Sequence, residues 1–326
     1  MRAFLGWVVV LGALMAGTAF PASAAITDYP FRLVTKAQGS DQALVAENDG
    51  PAPITVHVTL TGENFASDRT WPATIVVPPN TALPLGRVFA ADRTAGGYNF
   101  LFRYSHHFGR VDAIPDPLAA YRLPFLDGQS FSVTQAYGGR LTSHNNRENL
   151  YAIDFAMPAG TPIVAARGGV VIDATLSHNE GGFDMRFLDK ANTVAIVHDD
   201  GTVAEYAHLS PGAVLVKPGS RVAAGDLLGH SGNTGYSSGP HLHFIVSRPA
   251  VTDGKVTRES VPVAFYAGDP AVRFAVQAGS TLTANYGRSS PAAQQPVQQA
   301  RQEPGTATGL TSQYPQGPQA QQAHSH

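Results

Sequence analysis

Cysteine is absent from this 326-residue sequence. The chain therefore has no disulfide bonds and no thiolate ligands, so any metal ion must be held by histidine, aspartate or glutamate side chains. Charge is also scarce, because Asp, Glu, Lys and Arg make up 14% of the residues and the formal net charge is −2. A chain so close to neutrality has no electrostatic footprint for nucleic acid or for an anionic membrane surface. We therefore expect no nucleic-acid partner.

A hydrophobic run long enough to cross a bilayer is missing as well. The stretch FLGWVVVLGALMAG at residues 4–17 is shorter than the roughly 20 residues that a transmembrane helix needs. It follows Arg2 and precedes the small residues ASA at 22–24, which is the order of a signal peptide. We predict cleavage after Ala24, no membrane span in the mature protein, and export to the periplasm or the extracellular cell wall. The alternative is an uncleaved N-terminal anchor.

The 33 glycines and 24 prolines indicate many turns, and the apolar residues between them alternate as in β-strands. We predict an all-β chain with an N-terminal immunoglobulin-like β-sandwich and a C-terminal domain built on an antiparallel β-sheet. A tail of Gln, Pro, Ala and Ser cannot bury enough apolar surface to become ordered. The predicted segments are a signal peptide at 1–24, the sandwich at 25–114, a proline-marked linker at 115–128, the second β domain at 129–288 and a disordered tail at 289–326.

Two histidines interrupt a segment that otherwise predicts a strand, GPHLHFIV at residues 239–246. Side chains of a strand alternate between its faces, so His241 and His243 share one face and the opposite face is apolar. A solvated strand face is one interpretation. A paired imidazole face that binds a metal ion is the other.

A carboxylate lies inside a second apolar segment, YAIDFAM at residues 151–157. Burying an unpaired charge is expensive, so Asp154 predicts a partner close by. His144 lies upstream of it, and His208 ends a strand of the hairpin VAIVHDDGTVAEYAHL at residues 194–209, which turns at residues 199–201.

Four segments, two of which overlap those already described, support one resemblance. They occur in the order GTPIVAARGGVV (160–171), YAHLS (206–210), VKPGSRVAAGDLLGHSGNTG (216–235) and GPHLHF (239–244). With them, residues 130–250 resemble the catalytic domain of the lysostaphin-type (LytM-like) zinc metalloendopeptidases, which cut peptide bonds in bacterial peptidoglycan. The resemblance covers somewhat more than a third of the chain and does not extend to the N-terminal sandwich or the tail.

The resemblance implies an exported endopeptidase with peptidoglycan as its substrate and one Zn²⁺ per chain. By residue, it implies that His144, Asp154 and His243 hold the zinc and that His208 and His241 are catalytic without binding it. Two imidazoles and one carboxylate leave a fourth zinc position open for water. The metal would activate that water, with His241 as general base and His208 at the oxyanion.

The spacing of the first ligand departs from the resemblance. The family has its first ligand histidine four residues before the aspartate, where this chain has Leu150, and His144 stands ten residues before Asp154. Either the residues NNRENL at 145–150 form an insertion that bulges between two ligands, or the first ligand is lost. In the second case the chain is an inactive relative that binds the cell wall or activates a hydrolase. A carbohydrate-binding or lipoyl-like β module accounts for the hairpins but not for the histidines.

The other histidines of the two β-rich regions have predictions that involve no metal. We predict a surface turn for His106 and His107 and a loop for His178. We predict a strand end for His198 and a turn for His230.

Overall fold

The computed structural model describes residues 4–8, 29–139, 142–212, 215–267 and 272–286. The predicted tail and most of the predicted signal segment lie outside these residues. The regular elements of the described residues are β-strands, apart from one 3₁₀ turn at Met185–Phe187. Among the described residues, no helix has the length and apolar character needed to cross a bilayer. The all-β prediction is confirmed.

The first eight strands form two four-stranded sheets that face each other. Their strands are β1 (Phe4–Val8), β2 (Phe31–Gln38), β3 (Asp41–Asn48), β4 (Ile54–Glu63), β5 (Phe65–Ser67), β6 (Ala73–Val77), β7 (Thr81–Ala90) and β8 (Asn99–Phe108). One sheet has the order β1-β8-β4-β6 and the other the order β2-β3-β7-β5. Alternate apolar residues of both sheets are buried between them, for example Leu44, Val56 and Phe102. The immunoglobulin-like topology of this sandwich stays a prediction.

Strand β1 belongs to the segment predicted as a signal peptide. It pairs antiparallel with β8 along residues 102–106 and is the edge strand of its sheet among the described residues. Cleavage after Ala24 would remove this strand and leave β8 as the edge. The signal peptide itself stays a prediction.

The prediction of a surface turn at His106 and His107 is wrong. Both residues lie inside β8, because β8 stays paired with β4 as far as the partners Ile54 and Phe108. The Nε2 atom of His107 lies 3.1 Å from the carbonyl oxygen of Val256 in the second half of the chain. Burial lowers the pKa of His106 to about 4.

The rest of the described chain is built around one large sheet. Its strands are β9 (Ala120–Arg122), β10 (Ser130–Gln135), β11 (Ile153–Ala156), β12 (Pro162–Val164), β13 (Gly169–Thr175), β14 (Gly181–Gly182), β15 (Thr193–Val197), β16 (Val203–Ala207), β17 (Arg221–Val222), β18 (Leu227–His230), β19 (Gly235–Tyr236), β20 (His241–Thr252), β21 (Lys255–Ser260), β22 (Ala264–Ala267), β23 (Val272–Phe274) and β24 (Thr281–Thr283). Nine of them form a sheet in the order β17-β13-β15-β16-β20-β11-β10-β24, with β21 paired to β20. The sheet is antiparallel, as predicted.

The apolar core lies against one face of this sheet. Phe155 of β11 and Leu242 and Phe244 of β20 are completely buried in it. Because side chains alternate along a strand, the neighbours of these residues point to the opposite face. That face carries Asp154 and His243, so the core fixes which side of the sheet the polar residues occupy.

The segment predicted as a linker at 115–128 contributes to the core in its second half. Strand β9 pairs in parallel with β22, and the side chains of Tyr121, Leu123 and Phe125 are buried in the same core as the large sheet. The boundaries proposed for the sandwich and the second domain stay predictions.

The predicted hairpin is confirmed and the prediction for His230 is corrected. Strands β15 and β16 pair on either side of the turn at 199–201, where Gly201 has a φ of +82° that favours glycine. His198 follows the end of β15, as predicted. His230 is the last residue of β18 rather than part of a turn, because it pairs with Pro162 of β12.

A further apolar cluster joins the sandwich to the large sheet. Tyr29, Ala52 and Ile54 from the first half of the chain pack with residues of β13, β15 and β16, among them Ile172 and Val197. Apolar burial contributes roughly 25 cal/mol for each Å² removed from water. The two halves therefore stabilise each other along this seam.

Burial of His198 generates a prediction about acid stability. Burial, partly opposed by the carbonyl of Gly168, lowers its pKa to about 4, and the charges of Arg167 and Asp200 also face the ring. An unfolded histidine has a pKa of about 6.5, so below that pH the unfolded chain binds a proton that the folded chain does not. We expect His198 to reduce the free energy of unfolding by about 3 kcal/mol as the pH falls from 6.5 to 4.

The measurement is denaturant unfolding of the parent and of His198→Leu between pH 8 and pH 4. The variant should show a shallower loss of stability below pH 6.5, whatever its stability at pH 8. Two curves of equal slope would mean that His198 does not titrate on unfolding.

Candidate active site

Two of the predicted ligands are cross-strand neighbours. Asp154 on β11 pairs directly with His243 on β20, and Ala156 pairs with His241. Directly opposed residues of an antiparallel pair project to the same face, so Asp154 and His243 meet on the polar face of the sheet. The Nδ1 atom of His243 lies 2.8 Å from Oδ1 of Asp154.

The third predicted ligand reaches the same point from the loop before β11. The Nε2 atom of His144 lies 3.4 Å from Oδ2 of Asp154. His144, Asp154 and His243, here called the ligand triad, each offer one donor atom, and these atoms lie within 4.8 Å of one another. The ten-residue spacing between His144 and Asp154 therefore brings the two side chains together.

The insertion at 145–150 achieves this by folding back on itself. A turn closes within it, since Asn149 donates its backbone N–H to the side chain of Asn146 at 2.9 Å. At the end of the loop, the carbonyl oxygen of Ala152 lies 3.1 Å from Nδ1 of His144. Strand β21 holds the loop from outside, because Ser260 donates from both its backbone N–H and its hydroxyl to the carbonyl oxygen of Arg147.

The Asp154 carboxylate is buried, with 3% of the residue exposed. Burial alone raises the pKa of a carboxyl group, but the hydrogen bonds and positive character of His144 and His243 outweigh burial and hold the pKa of Asp154 well below its usual range. The group is therefore ionised at neutral pH. A buried carboxylate beside two imidazoles is a site that attracts a cation.

The donor set fits a zinc ion. Zinc takes imidazole nitrogen and carboxylate oxygen at about 2.0–2.2 Å, and tetrahedral ligand atoms at that distance lie about 3.3 Å apart. The 3.4 Å between Nε2 of His144 and Oδ2 of Asp154 matches this separation. Because the carbonyl of Ala152 can only accept, Nδ1 of His144 carries a proton, and Nε2 is the nitrogen that faces the ligand triad and would lose its proton to coordinate a metal ion. Three protein donors leave a fourth position open.

His241 stands beside the ligand triad with its reactive nitrogen free. Its Nδ1 atom lies 2.8 Å from the carbonyl oxygen of Gly239 and 3.2 Å from Oγ of Ser237. The carbonyl requires a proton on Nδ1, so Nε2 carries a lone pair. That atom lies 3.9 Å from Oδ1 of Asp154. A proton acceptor is thus fixed in orientation next to the donor atoms.

His208 faces His241 across the opening, with ring centroids 4.6 Å apart. It directly follows β16, and its φ of +62° lies in the left-handed region that non-glycine residues seldom adopt. Its Nδ1 atom donates to the carbonyl oxygen of Thr234 at 2.7 Å, which again leaves Nε2 unprotonated. Burial, with added repulsion from His243 and His241, lowers the pKa of His208 to about 4. The ring is therefore neutral at pH 7.

The structure thus brings together all five residues singled out from the sequence. It also adds groups that have no signature in the sequence. The carbonyl groups of Ala152, Thr234 and Gly239 orient three of the four histidines, and the side-chain amide of Gln135 donates to Oδ2 of Asp154 at 2.8 Å. Backbone carbonyls occur at every residue, so sequence alone gives no signal for them.

Comparison with known proteins agrees with this geometry. Residues 148–259 match the family model described as peptidase family M23. The glycyl-glycine endopeptidase ALE-1 of Staphylococcus capitis is 41% identical over 100 residues, which cover 30% of this chain and 25% of that protein. The peptidoglycan DD-endopeptidase ShyA of Vibrio cholerae serotype O1 is 40% identical over 105 residues, covering 32% and 20%.

Among solved structures, the catalytic domain of lysostaphin from Staphylococcus simulans has 30% identity, covers 39% of this chain and 87% of that chain, and has a TM-score of 0.29. This chain spans a quarter or less of the length of the two curated relatives. The family match includes Asp154, His208, His241 and His243 but begins after His144. Within that range, the chain carries a domain of peptidase family M23, of the lysostaphin type.

Proposed function

We propose that this chain is an exported zinc endopeptidase that hydrolyses peptide bonds in bacterial peptidoglycan. The observation that carries the proposal is the placement of two histidines with free Nε2 atoms beside a three-donor group on one face of the sheet. A metal site alone is compatible with a structural role. The added proton acceptors are what a hydrolase needs.

Two relatives support the choice of substrate. ALE-1 is named a glycyl-glycine endopeptidase and ShyA a peptidoglycan DD-endopeptidase. These two names describe different bonds, so they support peptidoglycan as the substrate class and leave the cleaved bond open. Cross-links and stem peptides are both within the proposal.

We assign one Zn²⁺ per chain to His144, Asp154 and His243. Bound there, zinc lowers the pKa of a coordinated water and polarises the scissile carbonyl. The buried Asp154 carboxylate supplies the negative charge that offsets the cation. The carbonyl of Ala152 fixes the His144 ring so that its Nε2 lone pair faces the ligand triad.

The two remaining histidines handle protons and charge. His241 accepts the water proton at Nε2, while Gly239 holds its Nδ1 proton and stabilises the imidazolium that forms. His208 is neutral at pH 7 and lies across the opening from His241. We assign it to the developing oxyanion: Nε2 of the resting ring is unprotonated, and once it takes up a proton during the reaction it can donate a hydrogen bond to that oxygen.

We propose the domain boundaries that the sequence predicts. The sandwich at 25–114 precedes a peptidase domain at 129–288, and the mature chain begins at Ala25 in the periplasm or at the cell wall. The family of the catalytic domain supports this location, because peptidoglycan lies outside the cytoplasmic membrane.

Loss of His144 tests the first ligand. His144→Ala removes one of three protein donors, so we expect zinc content after dialysis to fall far below one per chain and cleavage of purified sacculi to stop. The matched control is His230→Ala, because His230 is an exposed histidine at the end of β18. The control should keep zinc and activity. Full zinc content in His144→Ala would contradict its assignment as a ligand.

The two histidines of β20 should fail in different ways. His243→Ala removes a ligand, and both zinc and activity should be lost. His241→Ala removes a general base, so zinc should stay near one per chain while the turnover rate falls about 10²- to 10⁴-fold. His208→Ala should also keep its zinc and lose rate.

Metal analysis paired with sacculus digestion, with products sized by mass, measures both properties in the three variants. Loss of metal in His241→Ala with retention in His243→Ala would reverse the two assignments. Unchanged metal and rate in both would leave the pair as a solvated strand face.

Export has its own test. We expect mass spectrometry of the protein recovered outside the cytoplasm to find Ala25 as the first residue, since ASA at 22–24 is the predicted cleavage site. An intact N-terminus at Met1 in the exported protein would instead indicate an anchor.

A further inference from the structure

Gln135 occupies its position because of an irregularity in strand pairing. Along β10 and β11, Val133 pairs with Phe155, and the next pair is Gln135 with Asp154, so the register shifts between Val133 and Gln135. Regular pairing would set Thr134 opposite Asp154. A bulge inserts one extra residue and re-aims a side chain. Here it brings a long amide side chain, instead of a short hydroxyl, to the carboxylate.

The Gln135 amide makes contacts at both of its ends. Its Nε2 atom donates to Oδ2 of Asp154 at 2.8 Å. Its Oε1 atom accepts the backbone N–H of Ser143 at 2.6 Å and the Ser143 hydroxyl at 3.1 Å. A backbone N–H can only donate and an ionised carboxylate can only accept. The network therefore fixes which end of the amide is oxygen and which is nitrogen.

These contacts connect the two ligands that the insertion separates. Ser143 directly precedes His144, and Asp154 is ten residues further on. A short side-chain bridge thus spans the chain between the first and second ligands. Since a longer loop costs more entropy to close, an insertion between ligands weakens a metal site unless other contacts hold its ends.

From this geometry, and building on the zinc site of the proposed function, we infer that Gln135 is a positioning residue for the metal site. It holds His144 and Asp154 in place for the metal and does so without adding charge beside the carboxylate. Partners of this kind orient the ligands of metal sites, and their mutation typically costs about 10- to 100-fold in metal affinity or activity.

The surroundings of Gln135 make this role separable from a role in folding. The side chain is half-buried and lines a cavity of about 570 Å³ together with Tyr137, Gln277 and several glycines. It is not part of the apolar core under the sheet. Gln135→Met keeps the length of the side chain and removes both hydrogen-bonding ends, so the fold should tolerate it.

The experiment measures the zinc dissociation constant of the full chain by competition with a chromophoric chelator, and the melting temperature of the metal-free protein. Gln135→Met should weaken zinc binding 10- to 100-fold while the metal-free melting temperature stays within a few degrees of the parent. Because the ligands remain, raising free zinc should restore sacculus cleavage. The matched control is Gln277→Met, an exposed glutamine of the same cavity, which should leave zinc affinity unchanged.

A second variant acts at the other end of the bridge. Ser143 is exposed, and Ser143→Ala removes its hydroxyl donor but keeps the shorter backbone N–H contact to Gln135. We therefore expect zinc affinity to fall by about fivefold or less. In the double variant with Gln135→Met, Ser143→Ala should cause no further loss of zinc affinity, since the Oε1 acceptor of Gln135 is already gone.

The outcomes separate this inference from the proposed function. Zinc affinity within twofold of the parent in Gln135→Met, or an equal loss in Gln277→Met, overturns the inference while the peptidase stands. A parent that binds zinc but does not cut peptidoglycan overturns the function, and a weakened Gln135→Met still supports the positioning role. A parent without zinc affinity overturns both.

Discussion

A carboxylate shielded from water must be surrounded by donors, and the arrangement around Asp154 follows from that requirement. The residue sits in the middle of an apolar strand because its neighbours Ile153 and Phe155 pack into the core. The strand therefore fixes where the charge lies, and the charge requires partners from other parts of the chain. Strand β20 supplies His243, the insertion supplies His144 and the end of β10 supplies Gln135. The metal site is the place where these three segments satisfy one buried charge.

The spatial grouping of these side chains could be predicted from the sequence where it depends on regular strand structure. The alternation of β20 set His241 and His243 on one face, and the position of Asp154 in an apolar segment indicated a partner. Whether the insertion at 145–150 keeps His144 near Asp154 could not be predicted from the sequence. Loop geometry depends on contacts made elsewhere, here with Ser260 and Ala152. The histidines of β8 were misassigned for a related reason, since the length of that strand is set by its pairing with β4 rather than by local alternation.

The sandwich and the large sheet are connected through strand β21. Glu205 of β16 is buried, and burial alone would raise its pKa, but the guanidinium of Arg258 on β21 lowers that pKa to about 2. Removing either partner of a buried pair leaves an uncompensated charge. The same strand β21 receives the contact of His107 from the sandwich and holds the insertion through Ser260. A continuous set of contacts therefore runs from the sandwich to the loop that carries His144.

With the catalytic role proposed for His208, the left-handed backbone at this residue sets stability against activity at a single position. An L-residue pays roughly 1–2 kcal/mol for that conformation, and glycine would avoid most of it. Selection for a more stable fold would therefore favour glycine here, and selection for catalysis would retain an imidazole. In a relative that has lost catalysis but kept the fold, selection would no longer retain a histidine in this strained backbone conformation. Glycine or asparagine at this position in a related sequence would then mark such a relative, even where the three ligands are intact.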